Sequence, residues 1–277
     1  MLVMHTHLPY TKCQYYIGEY RDHVFYPELN GQLSYPAALL GGPRLLLDDK
    51  GRRLFWGWIR DPRPASKYGW NGIMTLPWHF SPKPGGGLAI RPVEELKNLR
   101  YNGEKLQDLE LDDQEKKLNI SSECMELKLR IHPENAPCFG LKLFCSADGE
   151  EETVVTYDRN EKCFTIDFSK ASKDKAIRYA VYAHGSSFPW AASKLRDQSD
   201  CFVESQKVPW DLEGKESVDL DIFVDKSVIE IFVNGEFCIV QRVYPMDSEG
   251  GIYFFAKGGK ALFSEIEKWE MEATNPW

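Results

Sequence analysis

Residues 220–245 read LDIFVDKSVIEIFVNGEFCIVQRVYP, and this stretch decides the fold class. Leu220, Ile222 and Val224 alternate with Asp219, Asp221 and Phe223, the two-residue period of a strand with one buried face. Asp225-Lys226-Ser227 turns the chain into a second β-branched run, and Asn234-Gly235 turns it again. That dipeptide signals a two-residue hairpin, because a type I′ turn needs positive φ at both central positions. Strand, turn, strand, turn, strand is the grammar of an all-β chain. Working outward, short strands recur in CMELKLRI (124–131), FGLKLFCS (139–146), EETVVTYD (151–158), KCFTIDFS (162–169) and IRYAVYA (177–183). GIYFFAKGG (251–259) and ALFSEIEKWEME (261–272) close the series. Such spacing predicts a β-sandwich.

Toward the N-terminus, residues 1–80 alternate aromatic and β-branched runs with turn clusters such as ELNGQ, LDDKG and RDPRP. PKPGGG (82–87) reads as a loop. RPVEELKNLR (91–100) is the one helical segment, with Pro92 near its start and Val93, Leu96 and Leu99 on one face. The expected organisation is therefore a domain over 1–102, ending in a short linker helix, and a sandwich over 103–277.

The bulk composition narrows the function. At 277 residues, 43% of them apolar, the chain has enough core-forming side chains for roughly two domains. A net charge of −8, with no Lys/Arg stripe, excludes a nucleic-acid binder. No apolar run reaches the ~18 residues of a membrane span. MLVMHTHLPY lacks the basic flank and apolar core of a signal peptide, so the expectation is a cytoplasmic chain. The seven cysteines, at 13, 124, 138, 145, 163, 201 and 238, are odd in number and form no C-x-x-C pair, which reads as reduced thiols. His5 and His7 share a strand face, but their neighbourhood offers no further metal ligands. Asn119-Ile120-Ser121 is a glycosylation sequon with no secretory context. No phosphate loop, zinc-protease motif or dinucleotide fingerprint occurs, and no metal or cofactor is expected.

Cleaving a glycosidic bond needs two carboxyl groups on one cleft, one protonated and one ionised. Three pairs come into question. Asp225 and Glu230 flank a hairpin turn and read as a turn residue plus a partnered strand carboxylate. Glu94 and Glu95 open the helix, where negative charge suits the dipole. Asp61 and Glu123, in IRDP and SSECM, form the third. HGSS (184–187) is a weak substitute for a nucleophile elbow. Trp56, Trp58, Trp70 and Trp78 cluster in sequence and are the candidate sugar-stacking residues, although Leu54, Trp56 and Trp58 share strand parity and suit a core equally well.

The long run from Tyr15 to Arg100, with its LLLDDKGRRLFWGWI and GWNGIMTLPWHFS segments, resembles the last part of the catalytic domain in glycoside hydrolase family 32. The stretch at 220–245 and the closing KWEMEATNPW resemble that family's C-terminal sandwich. The resemblance implies a five-bladed β-propeller joined to a β-sandwich, and retaining hydrolysis of β-D-fructofuranosides. It also implies a nucleophile in an N-D-P-N-G-type motif, a stabilising Asp in R-D-P and an acid/base Glu in E-C, both of the latter ahead of the G-R-R-x-x-W-G-W stretch. No N-D-P-N-G string occurs here, Asp61 follows Gly51-Arg52-Arg53, and Glu123 falls in the sandwich. Asp61 is accordingly expected to be a turn residue that does no chemistry, and no residue is assigned as catalytic. Gly41 and Gly42 stand where the family carries residues that help line the sugar pocket, and Trp78 where an Arg is usual. The expected fold is the residual part of the propeller followed by the sandwich. The expected function is that of a hydrolase fragment, silent alone. A fructan-binding module is the alternative, as is a domain that pairs with a second copy or with a separately encoded N-terminal portion. The expected ligand is fructan or sucrose.

Overall fold

The computed structural model describes residues 1–6, 12–38, 40–61, 63, 69–70, 72–83, 85–120, 123–180, 202–247 and 250–274. They are almost wholly β and divide into two compact units. The first comprises Met1–Val93, Ala176–Glu204 and Gly235–Val240; the second comprises Glu94–Lys175, Ser205–Asn234 and Gln241–Trp277.

In the first unit, β1 (Leu2–Thr6), β2 (Lys12–Arg21) and β3 (Val24–Gln32) form an antiparallel sheet in chain order. A second antiparallel sheet runs β4 (Leu40–Leu47), β5 (Arg53–Arg60), β7 (Trp78–Pro82), β8 (Leu88–Pro92), with β6 (Gly72–Met74) also on β5. The β4–β5 turn is fastened by Asp48, whose Oδ1 accepts the Lys50 and Arg52 amides and whose Oδ2 accepts Arg52 Nε at 2.7 Å. The core lies on the odd positions of β5: Phe55 and Ile59 are fully buried, and Phe55 packs 4.9 Å from Trp78 and 5.1 Å from Phe80. The other parity, Leu54-Trp56-Trp58, left open between core and sugar stacking, is the less covered one, although Leu54 is itself buried. Trp56 is half-buried and Trp58 exposed. Period alone gives two faces and does not say which is inside.

The linker segment Glu94–Leu99 is a 3₁₀ helix. The expected apolar face, Val93, Leu96 and Leu99, is spaced by three, and side chains three apart eclipse in a 3₁₀ helix. Val93 and Leu96 are buried.

The second unit stacks two sheets. Its strands are β9 (Arg100–Lys105), β10 (Leu109–Asp112), β11 (Glu115–Leu118), β12 (Cys124–His132), β13 (Cys138–Cys145), β14 (Glu152–Asp158) and β15 (Cys163–Lys170). After β16 (Tyr179–Ala180) and β17 (Phe202–Val203), which pair within the first unit, come β18 (Ser205–Pro209), β19 (Val218–Asp225), β20 (Val228–Val233), β21 (Phe237–Arg242, of which residues 237–240 are counted with the first unit), β22 (Gly251–Lys257) and β23 (Lys260–Met271). One sheet has the order β10-β23-β12-β19-β20-β21, with β9 also on β23; the other has β11-β22-β13-β14-β15-β18. Alternate residues fill the space between them. Leu127, Leu129 and Ile131 of β12, and Val218, Leu220 and Ile222 of β19, are buried, and so are Leu141 of β13 and Ile166 of β15. Phe254 of β22 stacks on Phe263 of β23 at 4.8 Å, joining the sheets. Both expected turns are present: Lys226 has φ 50°, and Asn234 and Gly235 have φ 50° and 62°, positive at both hairpin positions.

Two buried carboxylate and hydroxyl clips hold the loops. The Glu151 carboxylate, wholly buried, accepts the backbone amides of Lys173, Met246 and Asp247 at 2.6–3.1 Å. The Tyr157 hydroxyl donates to the Trp210 carbonyl and accepts from the Leu212 amide. No helix among the described residues is long and apolar enough to cross a membrane.

Candidate functional site

Asp61 stands immediately past β5 and its side chain is 0% exposed. Its Oδ1 accepts the Arg63 amide at 2.9 Å, the two-residue reach of an Asx turn. Arg63 Nε and Nη2 then grip Oδ1 and Oδ2 at 3.1 and 3.0 Å. Across its other face the same guanidinium lies 5.3 Å from the Trp70 ring centroid. A carboxylate closed in this way is an anchor for Arg63. None of its side chain is open to solvent.

Of the four tryptophans expected to stack on sugar, Trp78 is fully buried against Phe55 and presents no face to a ligand. Trp58 and Trp70 are 37% and 41% exposed. Trp58 leans on β6 so closely that a Cβ on Gly72 would meet its Nε1 at 2.2 Å. Its ladder partner on β4 is Gly41. A Cβ there would meet the His5 imidazole at 2.9 Å, so the ring of His5 occupies the space a larger residue at 41 would need. His5, from β1, thus packs beside Trp58 on the same face. His7 lies outside the described residues, as do HGSS at 184–187, Ser121 and Cys201.

The second unit holds a carboxylate pair that sequence reading missed. On the face of β12 and β19 away from the sandwich core, Glu126 and Lys128 oppose Phe223 and Asp221 in antiparallel register. Glu126 is buried and bound by Arg100 through Nε and Nη2 at 2.7 and 2.5 Å, and Arg100 lies 4.0 Å over the Trp269 ring. Asp221 faces Lys128 Nζ at 3.4 Å. Burial first, and then the negative charge of Glu126, raise the Asp221 pKa to about 7. The signal was available: register β12 against β19 and the even positions of one meet the odd positions of the other. Burial beside the Glu126 charge thus favours the protonated form of Asp221.

The other pairs are placed as follows. Glu94 is exposed and bound to Lys97 at 2.5 Å, which holds its carboxyl below the usual range, and Glu95 is exposed beside it. Asp225 is exposed and accepts from the Cys124 thiol at 3.6 Å, whereas Glu230 is buried on β20. Glu123 is exposed, and its carbonyl accepts the Lys226 amide. Asp61 belongs to the first unit and Glu123 to the second. Among the described residues no group of three or more His, Cys, Asp or Glu is arranged to hold a metal ion. The six described cysteines are free thiols, and burial pushes those of Cys13 and Cys145 up to about 12 and about 11.

Comparison with known proteins adds three findings. The family described as "Glycosyl hydrolases family 32 C terminal" matches residues 95–270. Over 275 residues the chain is 28% identical to the sucrose-6-phosphate hydrolase of Zymomonas mobilis, covering 94% of this chain and 47% of that protein. It is 26% identical over 209 residues to the levanbiose-producing levanase of Bacillus subtilis, covering 73% of this chain and 35% of the levanase. The chain thus spans about half, or less, of the curated relatives it matches. Among solved structures, fructan 1-exohydrolase IIa from Cichorium intybus superposes with a TM-score of 0.74 at 19% identity, covering 96% of this chain and 55% of the other. Exo-inulinase from Aspergillus awamori gives 0.71 at 17% identity, covering 96% and 51%. At such identities the likeness is one of fold.

Proposed function

The chain belongs to glycoside hydrolase family 32, and from that premise we propose that it is the C-terminal portion of a β-fructofuranosidase-type hydrolase, catalytically incompetent by itself. In this reading the second unit is the family's C-terminal sandwich. The first unit is the residual part of a five-bladed propeller, its β4-β5-β7-β8 meander being blade-like. The parent enzyme acts on sucrose, its 6-phosphate or a fructan.

One observation carries the incompetence: both oxygens of the Asp61 carboxylate are held by Arg63, behind a surface that leaves none of its side chain exposed. A retaining hydrolase needs a nucleophile and an acid about 5–5.5 Å apart across the sugar. It lowers the barrier by ~8–23 kcal/mol, most of it through such positioned groups. Asp61 is committed to Arg63, Glu123 sits exposed on the other unit, and the 277 residues contain no N-D-P-N-G string. The test is steady-state release of fructose from sucrose, sucrose 6-phosphate, inulin and levan by the purified chain. No release above the blank is expected; turnover at rates typical of enzymes, ~1–10³ s⁻¹, overturns the proposal.

The exposure of Trp58 and Trp70 supports a second reading, a fructan-binding surface on the first unit. Isothermal titration with inulin or levan oligosaccharides checks it. Heat that disappears in Trp58→Ala is the expected result, and no heat at millimolar ligand ends the idea.

A further inference from the structure

Among the described residues, no strand pairs with the outer side of β4 in the first unit. β4 is the terminal strand of its sheet, and beyond the bulge at Gly42-Pro43 it presents three consecutive leucines, Leu45, Leu46 and Leu47, exposed by 39%, 51% and 61%. Consecutive strand residues point to opposite faces, so both faces of this edge are uncovered. Soluble proteins ordinarily blunt such edges with charge, proline or a covering loop.

The backbone says which groups face outward. The Asp48 amide bonds inward to the Arg52 carbonyl. Hydrogen bonding alternates along an antiparallel strand, so Leu46 also bonds inward to β5, and Leu45 and Leu47 turn their N–H and C=O groups to the open side.

We propose that this edge pairs with the same edge of a second copy of the chain, antiparallel and centred on Leu46. The sequence Arg44-Leu45-Leu46-Leu47-Asp48 is self-complementary in that register. Leu46 meets its own copy across the two-fold axis on one face. Leu45 meets the partner copy's Leu47 on the other, exchanging both backbone hydrogen bonds, and the second such pair does the same. Arg44 falls opposite the acidic end of the other strand, at Asp48 and Asp49. Among the described residues Arg44 forms no ion pair, and its guanidinium bonds only the Pro43 carbonyl. The pairing brings it beside the exposed Asp49, the Asp48 carboxylate being already engaged with Arg52. It joins two sheets into one continuous sheet through an isologous contact, which closes as a dimer rather than growing into a filament. The proposal rests on the geometry of the first unit and stands whether or not the chain cleaves or binds fructosides.

Sedimentation velocity across the micromolar range tests it, with three variants. Leu45→Pro deletes an outward N–H while leaving the β5 ladder intact. Leu46→Lys sets two like charges against each other on the axis. Leu46→Cys places two thiols at a non-hydrogen-bonded pair, where the close approach of the strands permits a disulfide. The wild-type chain is expected to be a dimer, the first two variants to dissociate with Kd raised at least about tenfold, and Leu46→Cys to form a covalent dimer on mild oxidation that Leu29→Cys, exposed on β3, does not. A wild-type monomer throughout the range overturns the proposal. So does a dimer untouched by both substitutions, or equal cross-linking at positions 29 and 46. If either substitution prevents folding, the cysteine pair decides.

Discussion

Two residues carry most of what distinguishes this chain. Asp61 has the sequence context of a stabilising carboxylate, yet its surroundings make it a structural anion: Arg63, only 15% exposed at the side chain, is ion-paired with it at 3.0 Å. Asp61→Ala is therefore expected to strip a part-buried guanidinium of this carboxylate and to cost about 3–5 kcal/mol; urea unfolding measures this, and a loss below about 1 kcal/mol, the range of a surface pair, contradicts it. Asp221 is the second. Its folded pKa, raised to about 7 by burial and by Glu126, lies above the ~3.9 of an unfolded aspartate. The folded state thus holds the proton more tightly, and the contribution of this group to stability is full at low pH and lost as pH rises from about 4 to about 7. Asp221→Asn keeps the shape and removes the titration. Its unfolding free energy is expected to fall less steeply over that window than the wild type's and to exceed it above pH ~7. Parallel slopes for the two proteins would refute this assignment.

At the scale of elements, the hairpin at Asn234-Gly235 is where local chemistry dictates structure most directly. Gly235 has φ 62° and a Cβ there would meet the Arg91 guanidinium at 2.8 Å. Gly235→Ala is expected to destabilise the protein by about 1–2 kcal/mol from the left-handed backbone alone, a loss visible as a lowered Tm; an unchanged Tm would mean that the turn is not under this constraint. The loop clip is the converse case, since nothing local announces it. Glu151 lies in a run of acidic residues, Glu150-Glu151-Glu152, and only the fold selects the middle one to be buried on three amides. Glu151→Ala, stranding those donors, is expected to cost about 3 kcal/mol or more, again by urea unfolding. These two elements explain what was legible in the sequence. Period-two runs and turn dipeptides located β12–β15, β19, β22 and β23 to within about two residues, because their causes are local, whereas IRYAVYA, read as a further sandwich strand, supplies β16, which pairs with β17 in the first unit. The buried face of β5, the 3₁₀ form of the linker, the placement of His5 over Gly41 and the Glu126–Asp221 pair were not legible, because each depends on which strand lies alongside. The same holds for Trp78, buried against Phe55 and Phe80.

For the whole molecule, the family-32 C-terminal match covers residues 95–270, and each of the two units has a well-filled core of its own. This polypeptide alone is expected not to cut a fructosyl bond. A single-turnover experiment, with the chain in molar excess over sucrose and quenched samples assayed for fructose, tests that claim most directly, because it detects one bond broken per site and is blind to slow product release. The account predicts no fructose beyond the protein-free control and no difference between the wild type and the Asp61→Ala Glu123→Ala double variant; fructose formed in proportion to the chain, and abolished by that double substitution, would contradict it.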